Sequence, residues 1–352
     1  MYKVLDLFCG AGGLSFGFEE SKEFYITLAN DIMPDAISTY QENYPNTNTL
    51  CCDISELSKS ILQQYDSDSV DLILGGPPCQ SFSTLGKRLL DDPRGKLFRE
   101  YLRLIKLTRP KVFIFENVTG LLSMDKGKLF RTIISSFREE GYNVTYKVLN
   151  SVDFGVPQNR KRVIVAGHIT EFHFPKRTHL NNHLSLLDSI GDLPHLNNHN
   201  YNKYICEPQN YFQRYARIGS SELKYHDIPN HGESLLKVIR AIPEGGSAMK
   251  DIPDEIKPKS GFRNSYARMW WNKPSSTITR NFGTPSSARC IHPVADRALT
   301  TREGARIQSF PDKYIFHGSR TSKNLQIGNA VPPILSKRLI NSVVNCFRKV
   351  DK

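Results

Sequence analysis

Cys79 is the residue whose surroundings most clearly indicate chemistry. It follows the apolar residues 70–74 and the glycines and prolines of residues 75–78. Such a run predicts a buried strand of a parallel sheet, and parallel sheets place reactive groups beyond the carboxyl ends of their strands. A free cysteine is more often a buried structural residue than a nucleophile. Because two prolines fix the chain direction before Cys79 and a serine-rich sequence follows it, we interpret this thiol as a nucleophile.

Three carboxylates are expected at the ends of other strands, as Cys79 is at the end of its own. Glu116 comes directly after the apolar residues 111–115, and a charge there, near a nucleophile, indicates acid–base chemistry rather than a solvated surface. Asp31 follows the run 25–29, where a carboxylate can accept hydrogen bonds from both hydroxyls of a ribose. Asp53 follows two cysteines, and its residue type suits a helix cap as well as a cofactor contact.

A glycine-rich turn at residues 10–13 follows the first strand-like run, which ends at Phe8. Glycines between a strand and a helix let a ligand approach backbone N–H groups closely. Many nucleotide cofactors bind in this way, so the turn alone does not choose among them. The dinucleotide pattern G-x-G-x-x-G is not matched, because Ser15 stands where its third glycine would be. The sequence therefore disfavours NAD and FAD.

The elements that position these residues alternate between strands and helices over the first 170 residues. Apolar runs predict strands at 2–8, 25–29, 70–74, 111–115, 144–149 and 163–166. Periodicity and capping signals predict helices at 14–20, 34–43, 95–107 and 126–140, and a further helix that continues to Leu62 and is capped by Asp53 or Ser55. This order predicts an α/β fold with a doubly wound parallel sheet and room for an antiparallel hairpin at its end.

The positive charge of the chain lies in its second half. Residues 1–170 contain 20 Lys and Arg and 20 Asp and Glu, whereas residues 171–352 contain 27 and 15. The whole net charge of +12 therefore comes from residues 171–352. A polyanion partner explains this asymmetry better than a merely basic surface, and nucleic acid is the polyanion we expect.

The same half has the composition of a loop-rich recognition domain. Asn, His, Tyr and Pro are frequent from residue 171, and nine of the ten histidines lie there. His179 and His183, like His195 and His199, have a spacing that suits metal ligands, but no acidic or cysteine ligands accompany them, so we predict no metal site. Regular structure is predicted again at 276–279, at 302–311 and in an amphipathic helix after residues 326–333.

Cysteine usage and hydropathy indicate a cytoplasmic protein. The seven cysteines are odd in number and lack C-x-x-C spacing, a pattern that disfavours disulfides and favours a reducing compartment. No run of eighteen apolar residues predicts a membrane span, and the early first strand leaves no room for a signal peptide.

Six segments in this order resemble the cytosine carbon-5 DNA methyltransferases, most closely the bacterial modification methylases of restriction–modification systems. They are residues 6–13 (DLFCGAGG), 75–83 (GGPPCQSFS), 115–118 (FENV), 158–162 (QNRKR), 299–312 (LTTREGARIQSFPD) and 326–333 (QIGNAVPP). The resemblance implies a Rossmann-like S-adenosylmethionine-dependent methyltransferase sheet with a second, smaller, loop-rich target-recognition domain. The implied catalytic domain comprises residues 1–184 and 322–352, and the implied DNA-binding domain comprises residues 185–321.

The cofactor that the resemblance implies is S-adenosylmethionine, bound across the strand ends. The glycine turn would hold its methionine part, Asp31 its ribose, and Asp53 with Ile54 its adenine. Asp31 and Ile32 stand where the family more often has Glu and an aromatic residue, which affects how the adenosine packs. The implied cofactor residues are Phe8, Gly10, Gly12, Gly13, Asp31, Asp53, Ile54, Pro78, Leu97, Asn329 and Val331.

The resemblance also assigns the chemistry. Cys79 would attack carbon 6 of a cytosine flipped out of duplex DNA, which makes carbon 5 nucleophilic enough to take a methyl group. Glu116 would hydrogen-bond or protonate ring nitrogen 3. Arg160 and Arg162 are the cations available to favour the Cys79 thiolate. Of these two, we expect Arg162 to contact the base or its phosphate and Arg160 to be structural.

The implied partner is double-stranded DNA, and we expect the protein to be a monomer. A companion restriction endonuclease would act on the same DNA site without contacting this protein. Loops of the second domain would read the bases, and residues 263–289 are the richest segment, although 276–279 equally suit a plain strand. The polar residues 83–93 are long enough to form an active-site lid. The predicted DNA contacts are Ser83, Lys87, Arg88, Arg263, Arg268, Thr277, Thr279 and Arg280.

Three other functions fit parts of the sequence. A transfer-RNA methyltransferase of the same family usually carries a Cys-Phe-Thr element before the last motifs, which this sequence lacks. An inactive nucleic-acid-binding relative does not explain why Cys79, Glu116, Gln158 and Arg162 occur together. A Rossmann-type oxidoreductase lacks its glycine fingerprint here. The transfer-RNA enzyme is the strongest alternative.

Overall fold

A seven-stranded sheet, counted within the described residues, organises the first half of the chain. The structure is a computed structural model and describes residues 1–78, 95–195, 202–259, 261 and 264–350. The strands of the sheet are β1 (Tyr2–Leu7), β2 (Phe24–Asp31), β3 (Thr49–Cys51), β4 (Leu72–Gly75), β5 (Val112–Val118), β6 (Asn143–Asn150) and β7 (Lys161–His168). Apolar runs in the sequence predict all of them except the three-residue β3, which is indicated only by the placement of Asp53 at a strand end.

The strand order is β3-β2-β1-β4-β5-β7-β6. The pairs from β3 to β5 are parallel, whereas β7 pairs antiparallel with both β5 and β6. The predicted α/β fold, with its parallel sheet and terminal hairpin, is thereby confirmed. Because the order reverses at β1, between β2 and β4, the carboxyl ends of these strands form the crevice where such sheets bind ligands.

Helices cover this sheet because their apolar faces are buried. They are α1 (Phe16–Glu19), α2 (Pro34–Asn43), α3 (Lys59–Gln64), α4 (Lys96–Thr108) and α5 (Lys128–Glu139). Tyr101 and Ile105 of α4 and Ile133 and Phe137 of α5 belong to one buried cluster with strand residues such as Phe113. The helices predicted in these regions are confirmed, with ends displaced by a few residues.

The segment between β3 and β4 differs from its prediction as one helix. Asp53 caps a 3₁₀ turn, Ile54–Glu56, in a capping box with Glu56. The chain leaves helical geometry at Leu57, where φ is −66° and ψ is 86°, and α3 begins only after the Ser58 N-cap. The prediction of Asp53 as a cap is confirmed, and the prediction of one continuous helix to Leu62 is wrong.

The chain divides into two compact units. Unit 1 comprises Met1–Asn150, Lys161–Arg177 and Pro333–Lys352, and unit 2 comprises Ser151–Arg160 and Thr178–Pro332. The predicted catalytic and DNA-binding domains have other limits, at residues 184 and 322. As functional domains they stay a prediction, because compactness alone assigns no function.

Unit 2 contains short helices and a small parallel strand pair among loops. Its elements are α6 (Leu186–Ile190), α7 (Tyr211–Arg217), α8 (Glu233–Ala241), α9 (Ala248–Asp251), β8 (Ala267–Arg268), β9 (Arg289–Ile291), α10 (Thr301–Ile307) and α11 (Arg320–Asn329). Residues 276–279, all of them described, form no strand, so that alternative is wrong. Of the regular structure predicted at 302–311, the first part, up to Ile307, belongs to α10.

Charged side chains of α10 form a polar core in unit 2. Arg306 pairs with Asp192 and with Asp312, each at 2.6 Å. Arg297 donates two hydrogen bonds to Glu303, at 2.8 and 2.7 Å. Burial raises the pKa of Glu303, but Arg297, with smaller contributions from His292 and His226, outweighs burial and holds that pKa well below its ordinary value. Removing one member of such a pair leaves a buried charge uncompensated, which explains why residues 299–312 are rich in charge.

The last helix, α12 (Pro333–Val350), packs against α1 within unit 1. The Gly17 N–H donates to Ser336 Oγ at 3.0 Å, and a Cβ on Gly17 would lie 2.8 Å from the backbone of Lys337. The two backbones are therefore too close for any other residue at position 17. The sequence predicts an apolar face of six residues for α12, of which Ile340 is half-buried and five are buried: Leu335, Leu339, Val343, Val344 and Phe347. None of the helices in the described part of the chain is long and apolar enough to cross a membrane.

Candidate active site

The glycine turn between β1 and α1 has a backbone conformation that few residues adopt. Phe8, Gly10 and Gly12 have φ angles of 55°, 53° and 73°. Glycine takes such values without steric cost, whereas Phe8 is held in a strained conformation of the kind that clusters at ligand sites. A Cβ on Gly10 would meet no described atom within 4 Å. The turn therefore borders open space on this side.

Asp31 holds the glycine turn from the end of β2. Its Oδ2 accepts a hydrogen bond from the Gly10 N–H at 2.9 Å, and its Oδ1 accepts one from the Met33 N–H at 2.9 Å. Burial raises the pKa of Asp31, and these N–H groups act in the opposite direction. A carboxylate oxygen can accept more than one hydrogen bond. The contacts with the turn are thus compatible with a second contact to a ribose.

Asp53 and Ile54 follow β3 at the edge of the sheet. Asp53 Oδ1 accepts hydrogen bonds from the backbone N–H and Oγ of Ser55, at 2.8 and 2.6 Å, and these bonds lower the pKa of Asp53. Lys96 Nζ lies 3.8 Å from the other oxygen, Oδ2. Ile54 belongs to the buried cluster against which the half-buried Leu97 packs. Because a carboxylate oxygen can accept more than one hydrogen bond, Asp53 can cap the turn and contact a ligand at once.

Strand β5 fixes the segment that leads to Cys79. Asn117 Nδ2 donates a hydrogen bond to the carbonyl oxygen of Pro77 at 3.0 Å, and the following Pro78 is exposed. Cys79 itself lies outside the described residues, so its role as nucleophile stays a prediction. The same holds for the lid and for the DNA contacts predicted in it, Ser83, Lys87 and Arg88.

Glu116 and Arg162 form an ion pair at the carboxyl end of β5. Arg162 Nε lies 3.0 Å from Glu116 Oε1, and the side chains are 13% and 11% exposed. Arg162 on β7 stands opposite Val118, so Glu116 is its diagonal neighbour, within reach of a long side chain. A Cβ on Gly76 would lie 3.1 Å from Glu116 Oε2. The pair therefore adjoins the chain that enters Cys79.

Arg160 and Gln158 are buried in unit 2. Arg160 is 1% exposed, and its Nη1 and Nη2 donate to the carbonyl oxygens of Ile278 and Gly328, at 2.9 and 2.8 Å. Gln158 donates to Gln308 Oε1 at 2.5 Å and accepts the Ile278 N–H at 2.9 Å. These contacts support a structural role for Arg160, because they occupy its terminal nitrogens within unit 2.

Two predicted cofactor residues also belong to unit 2. Asn329 is exposed at the end of α11, and Val331 is buried just after it. Their contacts with a cofactor stay predictions. A Cβ on the adjacent Gly328 would lie 2.4 Å from the carbonyl carbon of Thr279, so glycine is needed where α11 meets this loop.

The predicted base-reading residues of unit 2 differ in exposure. Arg268 is 4% exposed and donates hydrogen bonds to four backbone carbonyl oxygens and to Asp296 Oδ1. These bonds use the donors that would bind a base, so we exclude Arg268 from the proposed DNA contacts. Thr279 and Arg280 are exposed, and Thr277 Oγ1 donates to the Asn159 carbonyl at 2.7 Å. Arg263 lies outside the described residues.

Two of the regularly spaced histidines, His179 and His183, make polar contacts with other side chains, and His199 lies outside the described residues. A ring nitrogen of His179 lies 2.6 Å from the Tyr211 hydroxyl, and one of His183 lies 3.2 Å from Asp153 Oδ1. In the described ranges, no group of three or more His, Cys, Asp or Glu could hold a metal ion.

Comparison with known proteins identifies the family. The family model for C-5 cytosine-specific DNA methylase matches residues 2–345. Type II methyltransferase M1.HphI of Haemophilus parahaemolyticus is 37% identical, over 97% of this chain and 86% of its own length. Type II methyltransferase M.DdeI of Desulfomicrobium norvegicum is 36% identical, over 99% of this chain and 90% of its own length. The chain therefore belongs to the C-5 cytosine-specific DNA methylase family.

Solved structures agree with this fold. The crystal structure of a prophage-encoded Escherichia coli protein, named as a DNA modification methyltransferase, matches with a TM-score of 0.80 at 23% identity and covers 99% of this chain and 100% of that one. The S. pombe Dnmt2 methyltransferase matches with a TM-score of 0.61 at 18% identity, over 98% of this chain and 99% of that one. The predicted resemblance is confirmed. The chain is a DNA cytosine-5 methyltransferase, and enzymes of this family take the methyl group from S-adenosylmethionine.

The residues of unit 1 fit S-adenosylmethionine. The glycine turn borders open space at Gly10, where a side chain would obstruct a ligand. Asp31 stands beside it with carboxylate oxygens that can accept from ribose hydroxyls, and the Asp53 carboxylate can accept from an adenine amino group in addition to its cap bonds. The donors and acceptors present are thus those that an adenosine needs.

Some residues that shape this site have no role predicted from the sequence. Asn30 and Asn117 are polar side chains inside otherwise apolar strands, and each is at most 3% exposed. That position is a signal for both, since a buried amide must find hydrogen-bond partners, and Asn117 also lies in the FENV segment. Arg103 gave no signal, because an arginine on an amphipathic helix usually faces solvent.

Proposed function

We propose that this chain methylates one cytosine within a short duplex sequence and so protects DNA from a companion restriction endonuclease. Its similarity to Type II methyltransferases along nearly its whole length supports this function. The observation that carries the proposal is the Glu116–Arg162 ion pair beside Gly76. A cytosine must leave the duplex to reach such a site. The proposed enzyme acts as a cytoplasmic monomer without contacting the endonuclease.

Cys79 is the proposed nucleophile. Its sulfur forms a bond to carbon 6 of the flipped cytosine, and the electron pair of the 5,6 double bond shifts through carbon 5 and carbon 4 onto ring nitrogen 3. Carbon 5 thereby becomes nucleophilic, as methylation there requires. When carbon 5 takes the methyl group, the electron pair returns from nitrogen 3, which gives up any proton it has accepted. Loss of the carbon 5 proton to a base then restores the 5,6 double bond and expels the sulfur as a thiolate. Since a free thiol has a pKa of about 8.5, a nearby cation favours the attack, and Arg162 is the cation we propose.

Glu116 is proposed to meet the charge that develops on ring nitrogen 3. A carboxyl group hydrogen-bonded to that nitrogen can donate a proton as the carbon–sulfur bond forms. Arg162 holds Oε1 at 3.0 Å, so the orientation of the carboxyl group is fixed before the base arrives. Its other oxygen, Oε2, faces Gly76, where the absence of a side chain leaves room.

The proposed cofactor residues lie mostly in unit 1. S-adenosylmethionine supplies the methyl group as an electrophile on a positively charged sulfur. The glycine turn and Phe8 would hold its methionine part, Asp31 its ribose, and the Asp53–Ile54 turn its adenine. The remaining members of the proposed set are Pro78, Leu97, Asn329 and Val331.

Bisulfite sequencing of DNA tests this function most broadly. The chain is expressed in a bacterial host that lacks cytosine-5 methylation, beside a Cys79→Ala variant. In DNA from cells with the wild type, we expect cytosines that resist bisulfite conversion at one position of a single short sequence. In DNA from cells with the variant, we expect none. If DNA stays fully convertible while transfer RNA from the same cells gains 5-methylcytosine, the transfer-RNA alternative is correct instead.

Target recognition is proposed to reside in the predicted DNA-binding domain. Exposed Thr279 and Arg280 belong to a loop there, and residues 171–352 carry the whole positive excess of the chain. Phosphate contacts would give affinity and a salt dependence, and a few side chains would read bases. Exchanging residues 185–295 for those of a related methylase should transfer the donor's target sequence. An active chimera that keeps the original target would show that recognition lies elsewhere.

A further inference from the structure

The turn that carries Asp53 and Ile54 has little support from the sheet itself. β3, which precedes it, has three residues and lies at the edge of the sheet, next to β2. Elements with so few backbone hydrogen bonds open locally at a low cost in free energy. A cofactor site built on this turn therefore depends on other contacts to keep its shape.

Asn30 supplies contacts from the sheet side. It is 1% exposed at the end of β2, and its Nδ2 donates to the carbonyl oxygens of Leu50 and Cys52, at 3.0 and 3.1 Å. The next residue, Asp31, accepts the Gly10 N–H. Through these hydrogen bonds, the adjacent residues Asn30 and Asp31 connect the glycine turn to the residues that lead into Asp53.

Arg103 supplies contacts from the helix side. Its Nη1 donates to the Leu57 carbonyl at 2.9 Å and its Nη2 to the Ile54 carbonyl at 3.1 Å, while Nε donates to Glu100 Oε2 at 2.6 Å. The planar guanidinium serves three acceptors in fixed directions, which a lysine cannot do. The same helix carries Leu97, six residues earlier and so roughly 9 Å along the axis. Arg103 therefore links two segments to which cofactor contacts are assigned.

We propose that Arg103 is a positioning residue for S-adenosylmethionine. It holds the Ile54–Glu56 turn against α4 in the arrangement that adenine binding needs, while Asn30 holds the turn from β2. The inference rests on the proposed placement of adenine at Asp53 and Ile54. Because Arg103 acts through these segments, its loss weakens cofactor binding and leaves the chemical step intact.

Calorimetric titration with S-adenosylmethionine tests this role on the full chain. In Arg103→Lys and Arg103→Met, loss of the two carbonyl contacts should raise the Kd at least about tenfold. The KM for the cofactor should rise with it, while kcat at saturation changes less than about twofold. Lys106→Met is the matched control, because Lys106 lies on the same helix and pairs with Glu140 instead of the turn. Its Kd should equal that of the wild type.

Hydrogen exchange of residues 50–58 distinguishes an error in the proposed placement of adenine from an error in the proposed role of Arg103. S-adenosylmethionine should slow this exchange in the wild type, and an unchanged exchange would overturn the placement of adenine at the turn. Protection in the wild type together with an unchanged Kd in the Arg103 variants would overturn the positioning role alone. Urea unfolding shows whether each variant folds, and if Arg103→Met does not, the Kd of Arg103→Lys decides.

Discussion

Asn117 on β5 donates a hydrogen bond from Nδ2 to the carbonyl oxygen of Pro77, at 3.0 Å. This bond ties the strand of Glu116 to the segment that leads to Cys79. Asn117 is 3% exposed, so the bond forms where water cannot easily replace the amide. The strand of the proposed general acid is therefore bonded to the described segment that precedes the proposed nucleophile.

Replacing Asn117 should loosen that scaffold. We expect Asn117→Ala to lower the rate of methyl transfer about tenfold or more, because the segment that leads to Cys79 loses its hydrogen bond to β5. The unmade buried hydrogen bond should lower the free energy of unfolding by about 1–3 kcal/mol. Single-turnover methylation and urea unfolding measure the two effects. Asn143→Ala, which removes an exposed amide of the same unit, is the control. A normal rate in Asn117→Ala would show that other contacts hold Pro77.

Gly76 should tolerate no side chain without a loss of rate. A Cβ at this position would lie 3.1 Å from Glu116 Oε2, closer than most such contacts, so alanine displaces the carboxyl group. We expect Gly76→Ala to fold and to lose at least about tenfold in kcat. Gly120→Ala is the matched control, because its Cβ would meet no described atom within 4 Å. Equal kcat values for the two variants would contradict the proposed place of Glu116.

Glu116→Gln tests the proton donor directly. The amide keeps the shape of the side chain but cannot give its proton to ring nitrogen 3. We expect the rate of methyl transfer to fall about 10²-fold or more, the usual scale of general acid catalysis, with DNA affinity largely kept. Glu139→Gln, an exposed position on α5, serves as control. Turnover near the wild-type rate would eliminate this role for Glu116.

The buried carboxyl group of Asp6 predicts a pH dependence of stability. Burial raises the pKa of Asp6 to about 8, aided by Glu19 and Asp31 and opposed by a hydrogen bond with Ser15. In the unfolded chain the group ionises near its ordinary pKa of 3.8. Between these values the folded state binds more protons than the unfolded state. The free energy of unfolding therefore falls as the pH rises through this window, and the loss is complete above about pH 8.

Asp6→Asn should remove this loss. Relative to the wild type, the variant should gain at least about 1.4 kcal/mol in free energy of unfolding between about pH 5 and about pH 7.5, which corresponds to one pKa unit. Urea unfolding at both pH values measures the difference. Asp66→Asn is the control, because the carboxylate of Asp66 is 68% exposed and pairs with Lys3 at the surface. A pH-independent difference between Asp6→Asn and the wild type would contradict the buried, protonated carboxyl group.

Unit 1 could be predicted because its residues follow periodic patterns. The apolar residues 111–115 and the helical pattern of 95–107 correspond to β5 and α4, since burial of apolar faces determines both. β3 gave no such pattern. Its three residues pair with β2 beside the amide of Asn30, a contact that depends on residues about twenty positions away.

Unit 2 resisted prediction because its interior is polar. Arginine residues usually lie at the surface or contact DNA, yet Arg268 and Arg306 are both buried. Arg306 pairs with Asp192, which lies 114 positions earlier in the chain. No local pattern encodes such a pair, so residue type alone placed Arg268 among the DNA contacts. Short polar motifs located the glycine turn and Glu116, whereas the supporting bond from Asn117 to Pro77 needed the structure.

The covalent bond between Cys79 and carbon 6 is the central claim, and a fluorinated substrate tests it most directly. Duplex DNA with 5-fluorocytosine at the target position cannot lose a proton from carbon 5, so the adduct cannot collapse. Incubation with S-adenosylmethionine, followed by a denaturing gel, shows whether protein and DNA stay joined. Cys206→Ala removes an exposed cysteine of unit 2 and is the control for a general thiol effect.

We predict a stable adduct for the wild type and for Cys206→Ala, and none for Cys79→Ala. An adduct of normal yield in Cys79→Ala would contradict the assignment of the nucleophile. So would a wild-type enzyme that methylates ordinary cytosine yet leaves the fluorinated duplex free on the gel.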